Sequence, residues 1–406
     1  MNRIAAIVLA GWFGLVVTES LAHAKNAEQG ADQQFEALVA DYEAWRKTNN
    51  PIRAGRQGDL EAAGRWPDAS FEAVEKRRVA ERNYLDRLQA IDADALTGHK
   101  PISHAVLDYV LRSAVALARF DTERMPFVND SGFFSMPLHV ASSTRPRSME
   151  QARAWVARLE KLPDFLAEHR RWMVRGIDDG FVQPAYVVEA VIGQLEAIVE
   201  TPVGDSPLLA PFEGLPAALE AKHGDALRER AVQIVDARVM PAYRALLEFF
   251  RNEYLAEPRE SIGISEVPDG RDYYRALVRH HTTLDTTPKS VHERGLAEVE
   301  RIRAEMERVI EEAGFEGDFG QFLHFLRTDE RFYADSPREL LMHASYIAKR
   351  ADDQMPRFFG KLPRLSYGVR PVPDHMAPSY TTGRYWPGDL ENGVAGGYMV
   401  NTHRLD

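Results

Sequence analysis

Cysteine is absent from all 406 residues. That excludes disulfides, thiol chemistry and a lipid-attachment cysteine. An excess of basic charge is also missing. Fifty Lys and Arg stand against 61 Asp and Glu, a net charge of -11. Nucleic acid is therefore not expected as a partner, because phosphate binding needs a basic face. No Gly-x-x-x-x-Gly-Lys-Ser/Thr loop, Gly-x-Gly-x-x-Gly turn or Gly-x-Ser-x-Gly elbow occurs, so phosphate-loop, dinucleotide and serine-hydrolase readings have no motif to rest on. After the first residues there is no apolar run long enough to span a membrane.

What is present begins with a leader. Arg3 precedes an apolar stretch from Ile4 to Val17, and Ala22-His23-Ala24 fits a small-x-small cleavage site. The stretch falls short of the ~20 residues that span a bilayer. It reads as a secretory signal peptide over residues 1–24, and the mature chain is expected to be periplasmic or secreted, with no membrane association after cleavage.

Most of the remainder reads as helix. Phe35, Leu38, Val39, Tyr42 and Trp45 recur at spacings of three and four. The same periodicity marks Phe71 to Ile91, Ile102 to Phe120, Pro184 to Val199, Asp272 to His281, Phe319 to Leu326 and Ser336 to Phe359. Met149 to Gly176 reads as two helices, or one bent near Pro163. Ala226 to Tyr254 reads as a long helix with a kink or break at Pro241. The best-defined helix is Pro288 to Ala313, with Thr287 as N-cap and Gly314 as C-cap.

Residues 360 to 392 differ. Pro363, Pro371, Pro373, Pro378 and Pro387 exclude a helix there. So long a loop is usually functional. A strand follows from Gly397 to Thr402. The expected fold is mainly α: a helical domain over 25–359, then a Pro-rich loop and edge strand over 360–406.

Histidines are the first place to look for chemistry. His292-Glu293 begins like a zinc motif, but the second His at i+4 is replaced by Leu296. His292 thus reads as a packed or partly exposed helix residue. His280 and His281 are adjacent, so they do not face the same way on a helix and do not readily share an ion. One of them could face a cleft. Asp352-Asp353 and Glu311-Glu312 carry little weight among 61 acidic residues. The run Glu298 to Glu312 reads as a solvated helix face. Phe127, Phe133 and Phe134 around Gly132 read as core, with a pocket wall as the alternative.

Several segments together resemble one family. Gly263, Pro268, Gly270, Tyr273 and Tyr274 follow its Gly-x-x-x-x-Pro-x-Gly-x-x-Tyr-Tyr signature. His280-His281-Thr282-Thr283, Thr287-Pro288 and His292 to Leu296 continue it in register. Phe322 to Asp329, Phe358 to Pro363, Arg370 to Pro373, Tyr385 to Gly388 and Tyr398 to Thr402 complete it. The family is bacterial, usually exported and almost wholly helical, and it has long been catalogued as a domain of unknown function. It is grouped with zincin-type metallopeptidases.

The resemblance implies a zincin-like N-terminal part. Family members continue past the strand into a helix bearing His-Glu-x-x-Pro-Gly-His-His. That motif does not occur here, so no catalytic residue and no metal ligand is assigned in this chain. Zinc is expected in the longer family protein only. The resemblance makes Tyr398 to Thr402 a substrate-aligning strand. Tyr385, Tyr398 and Asn401 become candidate contacts for a peptide or small-molecule substrate, with loop packing as the alternative for the two tyrosines. Two functions are carried forward: part of an exported peptidase-like hydrolase that is inactive without its zinc motif, or a non-catalytic periplasmic binding protein.

Overall fold

A computed structural model describes residues 30–213, 215, 224–374, 377, 380–388, 390, 393–403 and 405. The expected leader, 1–24, lies outside them. The chain is mainly helical. It divides into two compact units, Met1–Ser290 and Val291–Asp406.

The first unit begins with helix α1, residues 30–49, and the short α2 (Pro51–Arg56) and α3 (Leu60–Ala63). Next come α4 (Phe71–Gln89), α5 (Lys100–Ala118), α6 (Met136–Ser143), α7 (Met149–Glu160), α8 (Leu162–Asp178), α9 (Ala185–Glu200) and α10 (Ala210–Glu213). Of these, α2, α3, α6 and α10 went unforeseen, being too short to show a period. The division of 149–176 falls at Lys161. Pro163 then sits in the first turn of α8, where a missing N–H costs nothing.

Helix α11 (Asp225–Ile234) runs into α12 (Met240–Phe249) without a break. Of the kink or break expected at Pro241, the break does not occur: a π-turn over Val235–Val239 precedes the proline, with the Met240 N–H reaching back to the Val235 carbonyl. The widened turn gives room for the proline ring, which would otherwise strike the carbonyl four residues back. A second π-turn, Phe250–Tyr254, ends this run. Helix α13 (Gly270–Thr282) follows.

Two apolar clusters hold this unit together. The larger contains Trp66, Trp155, Phe165, Leu195, Tyr243 and Phe250. The aromatic trio Phe127, Phe133 and Phe134 belongs to it and is buried, so it is core. The smaller joins α1, α4 and α5 through Phe35, Leu38, Leu88 and Leu111.

Helix α14 (Pro288–Glu312) carries the division between the units. Its start is capped as expected, with Thr287 Oγ1 accepting from the Ser290 N–H at 3.1 Å. Its end is a Schellman turn. The Phe315 N–H bonds to the Ile310 carbonyl and the Gly314 N–H to that of Glu311, with Gly314 at φ 67°.

Within the second unit follow α15 (Phe319–Thr328) and α16 (Pro337–Phe358), then β1 (Tyr367–Pro371), β2 (Gly383–Trp386) and β3 (Gly396–Val400). The sheet order is β1-β3-β2. Strand β3 runs parallel to β1 and antiparallel to β2. This corrects the sequence reading: β3 is the central strand and not an edge, because both of its sides are paired. The irregular loop expected over 360–392 supplies both partners. The division also differs from the expected boundary near 359. Helix α16 belongs with the sheet, since Tyr367 Oη donates to the Ala348 carbonyl at 2.6 Å.

Candidate functional site

The sheet of the second unit has two unlike faces. Alternation along β3 separates Gly396, Tyr398 and Val400 from Gly397 and Met399. Met399 joins Val372, Ala377 and Tyr380 in a small apolar cluster. On the other face the register sets Val369, Tyr398 and Tyr385 side by side across the three strands. Tyr385 is 74% exposed and Tyr398 43%. Opposed aromatic pairs of this kind support a sheet and also offer a flat apolar platform.

Glycine shapes this platform. A Cβ on Gly383 would meet Tyr398 Oη at 2.6 Å and the Met399 carbonyl oxygen at 2.7 Å. The bare backbone at 383 lets the Tyr398 ring lie across β2. Strand β2 has β3 on one side and, among the described residues, no strand on the other.

Asn401 does not join the platform. Its side chain is buried, and its Nδ2 donates to the carbonyls of Ala377 at 2.8 Å and Tyr380 at 3.1 Å. Its Oδ1 accepts the His403 N–H at 3.0 Å. Both amide hydrogens are committed to these two carbonyls. The expected substrate contact at Asn401 is therefore replaced by a structural one. Of the three candidate contacts, the structure brings only Tyr385 and Tyr398 together on an accessible face.

The candidate histidines are not part of this sheet. His280, in the first unit, sits between α13 and α5. Its Nδ1 lies 3.1 Å from Ser113 Oγ, and Tyr109 Oη donates to its backbone carbonyl. The rings of His280 and His281 meet at 4.9 Å, tilted by 70°. A Ser–His contact is the first half of a nucleophile–base pair. Among the described residues, no acidic side chain is hydrogen-bonded to His280, and Ser113 lies within α5 and not at a turn that could shape an oxyanion hole. The pair ties two helices together. His292 and Glu293 are exposed on α14, and Leu296 occupies the i+4 position.

Among the described residues, no three His, Asp or Glu converge in a way that could hold a metal ion. The described side chains do not fit a zinc site.

Other polar groups in the first unit are unusual for structural reasons. His169 is wedged between Phe133 and Phe165, each ring 4.7 Å away, and its Nδ1 is sealed without a hydrogen-bond partner. Burial pushes it down from 6.5 to about 4. Arg158 is only 4% exposed. It donates to the Pro51 and Ala62 carbonyls and lies over Trp66. Burial lowers it to about 10. A cleft of about 460 Å³ beside Trp66 and Phe165 carries Arg65, Lys76, Asp68 and Asp164 together, a mixed lining that selects neither charge.

The glycine–tyrosine signature has a packing explanation. A Cβ on Gly270 would fall 2.2 Å from the Ile264 carbonyl oxygen, so the loop before α13 closes only on glycine. Tyr273 then packs its ring on Phe120 and Phe181.

The family model for bacterial proteins of unknown function, DUF885, matches residues 51–406. The chain belongs to this family. No curated protein matches this DUF885 member. Its fold is shared with two solved structures, each described as a "putative lipoprotein". The one from Colwellia psychrerythraea is 18% identical, with a TM-score of 0.77 over 93% of this chain and 68% of that one. The one from Shewanella oneidensis, described as of unknown function, is 15% identical, with a TM-score of 0.57 over 92% of this chain and 65% of that one. The chain thus spans about two thirds of each neighbour's length. Among its described residues, no helix is long and apolar enough to cross a membrane.

Proposed function

We propose that this DUF885 chain is the peptide-docking portion of an exported, zincin-like peptidase-type hydrolase. The observation that carries the reading is the exposed pair Tyr398–Tyr385, beside the half-buried Val369, next to the outer side of β2, on which no strand lies among the described residues. An extended peptide adds to a sheet through main-chain hydrogen bonds, and alternate side chains supply selectivity. Strand β3 is closed to such pairing, so β2 takes the role that the sequence resemblance gave to β3. Tyr385 then offers its ring to a peptide side chain lying on that face.

In this reading, zinc and the residues that activate water are supplied by polypeptide outside these 406 residues. The greater length of both structural neighbours supports that. Export rests on Arg3, the apolar stretch after it and Ala22-His23-Ala24.

The test is a titration of the mature chain into a pool of fluorescent extended peptides, with zinc present. The expected result is saturable binding without cleavage, weakened about tenfold by Tyr385→Ala, or ~1.4 kcal/mol. Absence of peptide binding overturns the docking role. One bound zinc per chain together with peptide cleavage overturns the assignment of catalysis to outside polypeptide.

A further inference from the structure

The first unit holds a cleft of about 460 Å³ beside Trp66 and Phe165. Small-molecule sites run from roughly 300 to 1,000 Å³. The floor of the cleft is apolar and fixed. Trp66 and Phe165 are buried and stacked 5.4 Å apart, and Trp66 Nε1 donates to the Arg158 carbonyl at 2.9 Å.

The charges around this floor divide by whether they already have a partner. Lys76 is paired with Glu72 at 2.6 Å, and Glu168 with Arg171 at 3.0 Å. Asp68 accepts the Ser70 N–H at 2.9 Å. Four other side chains are left short. Lys161 sits at the junction of α7 and α8, and Asp164 in the first turn of α8. Among the described residues, neither makes an ion pair or a side-chain hydrogen bond, with the other or with any neighbour. Arg65 is half-buried and meets Glu61 only at 3.7 Å, and its Nε is sealed without a partner. Arg77, also half-buried, spends one N–H on the Asp68 carbonyl at 2.8 Å and makes no ion pair among the described residues. Burial draws it below its ordinary 12.5.

Unused donors on partly desolvated guanidinium groups call for a carboxylate, which matches their fork. An anion alone would be opposed by Asp164. A cation alone would be opposed by the two arginines. A ligand carrying both charges answers both, and leaves no charge in the cleft uncompensated.

We propose that this cleft binds a small zwitterion of the amino-acid or dipeptide class. Its carboxylate lies on Arg65 and Arg77, its ammonium on Asp164, and its apolar side chain on the Trp66–Phe165 floor. Lys161, exposed at the rim, draws the carboxylate end inward. The proposal does not rest on peptide docking at β2, which belongs to the other unit.

The experiment titrates the mature chain calorimetrically with leucine, leucyl-leucine, N-acetyl-leucyl-leucine and leucyl-leucine amide. Saturable binding of one zwitterion per chain is expected, and the tighter of the first two fixes the ligand length. The acetylated and amidated compounds, each lacking one charge, should bind at least tenfold more weakly. Asp164→Asn should weaken the zwitterion at least tenfold and leave the acetylated compound unchanged, which general damage to the fold would not do. Arg77→Gln should weaken the zwitterion and spare the amide. Tyr385→Ala should leave all four affinities unchanged. The proposal is overturned if neither zwitterion binds, or if a compound lacking one charge binds as tightly. It is also overturned if the affinity survives Asp164→Asn and Arg77→Gln, or is lost in Tyr385→Ala.

Discussion

Tyr385 lies directly across from Tyr398 on the antiparallel pair β2–β3, and the Tyr398 ring reaches over the bare backbone of Gly383. The two tyrosines and the glycine form one unit. The ring could swing away from a new side chain at 383, but the Met399 carbonyl 2.7 Å from the new Cβ belongs to the central strand and could not. Gly383→Val is expected to destabilise the sheet by about 1–3 kcal/mol. Hydrogen exchange at the β3 amides should accelerate accordingly. Unchanged exchange would refute the packing account.

His169 makes the first unit acid-sensitive. Its folded value, about 4, lies below its ordinary 6.5, so the unfolded chain takes up the proton first. The contribution of His169 to stability is complete above pH 6.5 and is lost as pH falls toward 4, by up to about 3 kcal/mol. Below that window both states are protonated and the slope disappears. His169→Phe, placed between two phenylalanines, should flatten urea-unfolding stability across pH 4–6.5. An unaltered pH slope in the variant would disprove the assignment.

Asn401 is assigned to loop retention, and its replacement separates that role from substrate contact. Asn401→Ala leaves the Ala377 and Tyr380 carbonyls without their side-chain donor, at a cost of about 1–3 kcal/mol. Limited proteolysis between residues 373 and 384 should speed up. Peptide affinity per folded molecule should stay the same, and a selective loss of affinity would restore Asn401 as a contact.

Tyr243 links α12 to the segment before α6. Its buried hydroxyl donates to the Phe134 carbonyl at 2.9 Å. Tyr243→Phe keeps the ring and removes the donor, so urea unfolding should show a loss of about 1–2 kcal/mol. A neutral result would mean that the carbonyl finds another partner.

The long helices were legible because their faces repeat. The signals at Thr287 and Gly314 were equally readable, since a cap depends on a few neighbouring atoms. Pro241 shows the limit: the residue signals a disturbance, but whether the helix breaks or widens is decided by the packing of Met240, Tyr243 and Leu247 around it. Strands β1 and β2 were missed because five and four residues inside a proline-rich stretch carry too little alternation to register. Tyr367 to Val369 and Tyr385-Trp386 were the signals available, as aromatic and β-branched residues favour strands. At the candidate site, Tyr385 and Tyr398 stay proposed contacts on an accessible face, and the inward turn of Asn401 was not legible in the sequence. An asparagine that binds ligand and one that ties down a loop are the same letter.

Strands β1 and β2 each pair with β3 and not with each other. Neither can acquire a partner until residues 396–400 have been synthesised and delivered between them. The sheet therefore has no stepwise assembly from its earlier parts. Until then the β1 and β2 segments have no strand partner in this sheet, and the tyrosine platform forms only once all three strands are joined.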